Sequence, residues 1–414
     1  MMYDVIVVGG GPAGMFSAII AAQQGCRVLL FEKNDRLGKK LLITGKGRCN
    51  VTNDTNAQDV LQNIPRNSRF LYSAINAFPP DRIITFLQEH GCPVKTERGN
   101  RVFPVSDRSA SVLECLQRAL KQNNVTIRYE AVREILSNAG GVSGVRTDSC
   151  TAYSKAVILA TGGVSYPATG STGDGYDMAK SFGHMVVEPE GSLVPLESDD
   201  LDCVDMQGLS LRNVGVKLVD GNNKVRYKDF GELLFTHFGV SGPTVLSSSA
   251  HLNGTDCRLI IDLKPALDEA KLNDRILRDL EQYQNRTMEN ALTDLLPRSM
   301  IPVVLKRLNI PATLQANSLK KEQRRAIVQL LKAFPVSISK KRPVSEAIIT
   351  SGGVKVSEVN PKSMESKRIR GLFFAGEVLD CDAYTGGYNL QIAWSTAYAA
   401  AMAVKSLIDK SQSL

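Results

Sequence analysis

The reading of the chain turns on residues 3–33, YDVIVVGGGPAGMFSAIIAAQQGCRVLLFEK. Val5-Ile6-Val7-Val8 is a β-branched run that stops at a glycine cluster. Helix-compatible residues follow as far as Gly25, and a second apolar run, Arg27 to Phe31, ends on Glu32. This order predicts strand, tight turn, helix and strand, a βαβ unit with an acidic residue at the tip of its second strand. The glycines fall as Gly9-x-Gly11-x-x-Gly14, with Pro12 and Ala13 inside the pattern. The first permits the turn, the second lets backbone approach a pyrophosphate, and the third lets the helix pack close to the strand. The helix then points its N-terminal amides and positive dipole end at the phosphates. Glu32 lies 18 residues past Gly14, close to the roughly 20 expected of a carboxylate that binds ribose hydroxyls, and it would repel a ribose 2′-phosphate.

A chain of 414 residues can bury more than one core, so two or three domains are expected. Its 43% hydrophobic and 22% charged content is that of a globular enzyme. The apolar N-terminus lacks a basic n-region and carries Asp4, so it reads as a core strand and not a signal peptide. No apolar run approaches the length of a membrane span. The eight cysteines are scattered without a C-x-x-C pair. That spacing argues against a metal site or a dithiol motif, and for reduced thiols in the cytoplasm. The net charge of +8 is uneven: residues 298–342 hold eleven Lys or Arg against one acid, Glu322, which leaves the rest of the chain slightly negative. Such an excess can be a footprint for nucleic acid, although a solvated helical face has the same composition.

After Glu32 comes a basic, glycine-punctuated stretch, Arg36 to Asn53, predicted to be a loop without regular helix or packed strand. Its glycines with Lys39, Lys46 and Arg48 suit close approach to an anionic or polar ring system, and Arg48 beside Cys49 would favour a thiolate if both faced a site. Residues 67–90 read as helical, 93–104 as a hairpin turning at Arg98-Gly99-Asn100, and 108–122 as helix. The apolar run Ala156–Ala160 ending in Thr161-Gly162-Gly163 reads as a buried parallel strand making a second dinucleotide contact. From about residue 190 the pattern alternates as in β-structure, residues 266–334 read as helices, and apolar strands return after 343, ending in a turn at 385–391 and a helix over 390–408. The expected fold class is α/β. A Rossmann-like dinucleotide domain (1–190 and 343–414) would carry an inserted β domain (191–265 and 335–342) with a helical subdomain (266–334).

Taken together, Gly9–Gly14, Thr44-Gly-Lys-Gly-Arg-Cys-Asn-Val-Thr-Asn53, Ala160–Gly163, Phe235-Thr-His-Phe-Gly-Val-Ser-Gly-Pro243, Phe374–Asp380 and Gly386-Gly-Tyr-Asn-Leu-Gln391 resemble the BaiN/RdsA-type family of FAD-dependent oxidoreductases. The resemblance covers nearly the whole chain. It implies FAD with its ADP half on Gly9, Gly11, Pro12, Ala13, Gly14 and Glu32. Ala160, Thr161 and Gly162 with Gly376, Glu377 and Asp380 would lie along the pyrophosphate and ribityl chain. The amides of Gly387, Tyr388, Asn389, Leu390 and Gln391 would lie at the pyrimidine edge. Lys33, Lys39, Thr44, Gly45, Gly47, Arg48 and Val132 complete the implied cofactor set.

Members of that family are associated with reduction of a steroid enone, oxidation of aminoacetone, and reduction of a ribosomal RNA uridine to dihydrouridine. Two of these share hydride transfer to a C=C conjugated to a carbonyl. With the basic segment, the resemblance favours a uridine of ribosomal RNA as substrate, contacted through 298–342. A small-molecule enone reductase or amine oxidase is the alternative, and a flavin-binding redox sensor or RNA-interaction protein is another. No second GxGxxG occurs in 191–342, so NAD(P)H is expected as a transient electron donor without a domain of its own. Cys49, His237 and Tyr388 are the candidate proton donors, with Arg48 and Asn50 as ligands of substrate or flavin carbonyls.

Overall fold

The structure is a computed structural model that describes residues 2–412 except 253 and 255. The chain divides into two units, one running to Ser192 and resuming at Val344, the other Leu193–Pro343.

The first unit is built on strand Met2–Val8, helix Pro12–Gln23 and strand Val28–Phe31. The two strands pair in parallel, Val5 with Val28 through Val8 with Phe31. On the other side of the first strand lies Thr151–Leu159, also parallel, which in turn pairs with Leu372–Phe374. The sheet is extended by Thr126–Arg128 at one edge and by the antiparallel strands Gly141–Thr147 and Val132–Asn138 at the other. Parallel strands covered on both faces need continuous apolar runs, and Val5–Val8 and Val28–Phe31 are buried throughout. Helix Pro12–Gln23 is equally enclosed: Met15, Phe16, Ala18, Ile19 and Ala21 have no exposed surface. It lies between this sheet and the long C-terminal helix Tyr388–Gln412. Phe16 there meets Phe78, Phe86 and Trp394 at ring separations of 5.1, 5.1 and 5.6 Å.

Two local expectations fail for identifiable reasons. The stretch 36–53, expected to lack helix and packed strand, contains helix Lys39–Ile43 and the short strand Thr52–Asn53. Gly38, at φ +68°, turns the chain into that helix, and Leu37 and Leu41 bury their side chains in the core. The helix predicted over 67–90 is two helices, Ser68–Ala77 and Pro80–Glu89. Pro79-Pro80 forces the break, since a proline cannot donate to the preceding turn and pushes the residue before it out of helical conformation.

The second unit is a seven-stranded antiparallel sheet whose longest inner strands are Cys257–Asp262, Ser210–Asp220 and Val225–Thr236. Helices Glu269–Gln282 and Lys321–Lys332 do not build a core of their own. Their Leu272, Ile276, Val328 and Leu331 belong to one buried cluster with Leu259, Ile261 and Val336 of the strands. No helix among the described residues is long and apolar enough to cross a membrane.

Trp394 anchors the C-terminal helix to the loop after Cys49 by donating from Nε1 to the Val51 carbonyl at 2.9 Å. Trp394→Ala leaves a large cavity and a buried carbonyl without a donor. It is expected to cost about 3–5 kcal/mol of stability in the first unit, read as a lowered denaturant midpoint; an unchanged midpoint would refute this packing.

Candidate functional site

The first strand delivers its chain to a turn that only glycine can make. Gly9 has φ +108°, and a Cβ there would stand 2.5 Å from the Ala160 carbonyl oxygen. A Cβ on Gly14 would stand 1.8 Å from the Gly9 carbonyl oxygen, so its absence lets the helix seat on the strand. A Cβ on Gly11 would meet nothing within 4 Å, because it opens into a cleft. Pro12 occupies the first helical position, where a missing N–H costs nothing. The amides of Ala13 and Gly14 therefore end the helix facing the opening.

Glu32 stands at the tip of the second strand, 7% exposed. Its Oε2 accepts from the Gly10 amide at 2.7 Å, and its Oε1 accepts from the Asn34 amide and side chain at 2.8 and 2.6 Å. With one hydrogen bond accepted, Oε2 retains acceptor capacity, as a ribose hydroxyl requires. Across the opening, the turn after strand Thr151–Leu159 presents Thr161, whose Oγ1 is buried and has no hydrogen-bond partner. Further along, Lys40 donates to both oxygens of Glu377 at 2.9 and 2.7 Å and to Ser165 Oγ at 2.6 Å, while Glu377 also accepts from the Thr350 amide at 2.9 Å. The cleft has an empty volume of about 1290 Å³ when its open mouth is counted.

Of the cofactor residues expected from sequence, the cleft brings together Gly9, Gly11, Pro12, Ala13, Glu32, Lys33, Lys39 and Thr44 from the N-terminal part. It adds Val132, Ala160, Thr161, Gly162, Gly376, Glu377, Asn389 and Leu390. Gly14 packs beneath it. Asp380, Gly387, Tyr388 and Gln391 do not line it; Gln391 is consumed by hydrogen bonds to Thr52 Oγ1, the Phe78 carbonyl and Ser395. Sequence reasoning passed over Lys40 and Asn34, which sit beside residues it chose. It also passed over Gly170, Ser171 and Asp174, in a glycine-rich segment it noticed without assigning; Asp174 pairs with Lys33 at 2.6 Å.

The Thr44–Asn50 stretch coils on itself. The Cys49 amide donates to the Thr44 carbonyl at 2.9 Å, and Gly45, Lys46, Gly47 and Cys49 all have positive φ. Arg48 does not face the cleft or activate Cys49: its guanidinium lies 4.1 Å over the Phe103 ring and pairs with Glu97 at 2.5 Å and with Asp107. Cys49 is fully buried, and burial, with Cys92 nearby, raises its thiol far above the ordinary range. The expectation of a thiolate there is therefore overturned. Asn50 Oδ1 is buried without a partner. His237 belongs to the second unit, exposed on the turn between strands Val225–Thr236 and Gly239–Ser241, with its ring edge-on to Phe238. Tyr388 is half-buried, and burial first, then Asp59, raises its phenol.

Residues 3–403 match the family described as the HI0933-like protein Rossmann domain. This chain belongs to the HI0933-like family. It is 31% identical over 413 residues to the 3-dehydro-bile acid delta(4,6)-reductase of Clostridium scindens, covering 97% of this chain and 99% of the relative. It is also 31% identical to the ribosomal RNA dihydrouridine synthase of Escherichia coli, covering 96% and 97%. In fold it is similar to the 3-ketosteroid-delta4-(5alpha)-dehydrogenase of Rhodococcus jostii RHA1, with TM-score 0.54 at 16% identity over 98% of this chain and 97% of the other. The HI0933-like chain is an oxidoreductase of an FAD-binding family. Its cleft fits the dinucleotide: the open face of Gly11 and the remaining acceptor capacity of Glu32 Oε2 are each what such a ligand would use.

Gly11 and Gly14 separate binding from folding. Gly11→Val is expected to fold with an unchanged melting temperature and to lose at least tenfold in FAD affinity by fluorescence titration. Gly14→Val is expected to lose both, and equal FAD affinity in Gly11→Val and wild type would refute the cleft as the pyrophosphate site.

Proposed function

We propose that this HI0933-like enzyme reduces a C=C bond conjugated to a carbonyl, with a uridine of ribosomal RNA as its substrate and NAD(P)H as the transient donor of electrons. When bound, FAD supplies the hydride. The chain's own contribution is to hold it. The turn Gly9–Ala13 and Glu32 take the ADP half, and Thr161, Gly162 and Gly376 follow the linking chain. The N-terminus of helix Tyr388–Gln412 faces the ring edge, where its dipole favours negative charge. Cys49 is unsuited as proton donor because it is sealed in the core. Tyr388 keeps its phenolic proton at neutral pH, raised first by burial, and stands beside Asn389 and Leu390, which line the cleft, without lining it itself.

The observation that carries the RNA reading is the segregated charge of the second unit. The exposed Arg298, Lys320, Lys321 and Arg325 have no carboxylate partner among the described residues. A specific finding also favours the small-molecule reading. Much of the excess is neutralised within the fold: Arg307 and Lys306 pair with Asp202 at 2.7 and 3.2 Å, Lys332 with Asp262 at 2.6 Å, and Arg342 with Glu197 at 3.0 Å. Four remaining cations would give a log–log salt slope of about −3 to −4 for RNA binding.

Mass spectrometry of ribosomal RNA nucleosides is the test. Cells lacking the protein are expected to lose one dihydrouridine, regained on complementation. Unchanged dihydrouridine, with turnover of a small enone by the purified enzyme, would move the proposal to the second substrate class. Anaerobic mixing with NADH and NADPH in turn is expected to bleach the flavin with at least one of them.

A further inference from the structure

The antiparallel sheet of the second unit carries its core on one face. Val216, Leu218, Leu259 and Ile261 are buried there, in one cluster with Leu272 and Ile276 of helix Glu269–Gln282 and with Val328 and Leu331 of helix Lys321–Lys332. Alternation along the strands sends the residues between them to the other face. On that face Lys217 lies directly across from Lys228, and Gly215 directly across from Phe230. Both lysines are exposed, and Phe230 is 57% exposed. Arg258, exposed on the neighbouring strand, stands across from Val219. The aromatic, the lysine pair and the arginine therefore occupy three successive rows.

The charges in these rows are not cancelled locally. Lys217 and Lys228 have no carboxylate partner among the described residues. Arg258 donates to the neutral Asn223 side chain at 2.6 Å and keeps its charge. Asp229, between Lys228 and Phe230 in sequence, belongs to the opposite face, where its carboxylate accepts from the Tyr227 hydroxyl at 2.8 Å. Asp262, across from Gly215, pairs with Lys332 at 2.6 Å. Glu232 is exposed two residues past Phe230, on the side of the ring away from the lysines.

Like charges directly opposite each other on a sheet face destabilise the pairing, and an exposed phenylalanine adds nothing to a core that lies on the other side. The sheet carries both features side by side. A polyanion with flat rings turns both to advantage: its phosphates relieve the lysine repulsion and release counterions, and a base stacks on the aromatic ring. Gly215 sets no side chain against that ring. Two residues along a strand span about 7 Å, so the ring and the lysine pair are separated by the reach from a base to its own phosphate. An acidic peptide or a lipid surface would satisfy the lysines and offer the ring no flat partner, and duplex RNA keeps its bases stacked inside.

We propose that this face is a docking surface for single-stranded RNA, with a base on Phe230 and the flanking phosphates on Lys217, Lys228 and Arg258. It is separate from the exposed cations of residues 298–342, of which Lys321 and Arg325 belong to a helix packed against the opposite face. The proposal rests on the RNA reading above for the identity of the partner.

Fluorescence anisotropy of the FAD-loaded protein tests it without turnover, using a labelled single-stranded RNA of about twelve nucleotides, within the site sizes of such surfaces. Phe230→Leu keeps an exposed apolar side chain, so it is expected to fold as wild type and to bind about tenfold more weakly with the same salt slope. Lys217→Gln combined with Lys228→Gln is expected to flatten the log–log salt slope by about 1.4. Because that variant also loses a repulsion, its melting temperature is expected to be equal to or above that of wild type. The same RNA annealed to its complement is expected to bind without regard to Phe230. Unchanged single-strand affinity in Phe230→Leu, or an unchanged slope in the lysine variant, overturns the surface. So does equal dependence of the duplex on Phe230, or binding of phosphatidylserine vesicles through these residues by protein that does not bind the single strand. Phe230-dependent binding with ribosomal dihydrouridine unchanged in cells lacking the protein keeps the surface and removes the proposed substrate. Loss of a dihydrouridine with binding indifferent to Phe230 does the reverse.

Discussion

The contact on which the first unit depends is between the helix Pro12–Gln23 and the strand before it. With only hydrogen on Gly14, the helix lies against the Gly9 carbonyl; a methyl there would stand 1.8 Å from that oxygen. This closeness fixes the rest of the arrangement. It aims the helix N-terminus along the cleft, lets the Gly10 amide reach Glu32 at 2.7 Å, and seats the enclosed face of the helix on the C-terminal helix. A helix buried on every side cannot be placed by an amphipathic stripe, so the glycine spacing carries information that hydrophobic periodicity lacks.

That explains which parts were legible from sequence. The βαβ unit, the hairpin at 94–104 and the parallel strand ending at Leu159 are visible because local chemistry and tertiary environment agree. The glycine-turn end of the cleft was legible for the same reason, since Gly9, Gly11 and Glu32 are all within one supersecondary unit. The stretch from Lys39 to Asn53 was misread because its structure is imposed from outside: Leu41 is buried in the core, and Thr52–Asn53 pairs with Arg101–Val102. Arg48 was misread in a way spacing cannot correct. Adjacency to Cys49 in sequence suggested a thiolate, but Cys49 has φ +61° and its side chain enters the core, while the guanidinium turns to Glu97, Asp107 and Phe103. Lys40 and Glu377, 337 positions apart, are joined only by the fold.

The basic segment shows how composition and structure can diverge. Eleven cations against one acid looks like a surface built for a polyanion. The fold pairs several of them with acids distant in sequence, Asp202, Asp262 and Glu197. What is left is a smaller group of exposed cations, Arg298, Lys320, Lys321 and Arg325. Buried charge in the first unit follows the opposite logic: Asp380 and Asp382 are costly there, and structural economy alone would have replaced them with apolar residues.

One extended flavin dinucleotide is expected to occupy the cleft of the first unit. Its most direct test is release and chromatographic identification of the cofactor from protein purified without added nucleotide, then repeated after incubation with FAD. FAD at one molecule per chain and no FMN is the expected result. Protein that carries no flavin and takes up none on incubation would contradict it.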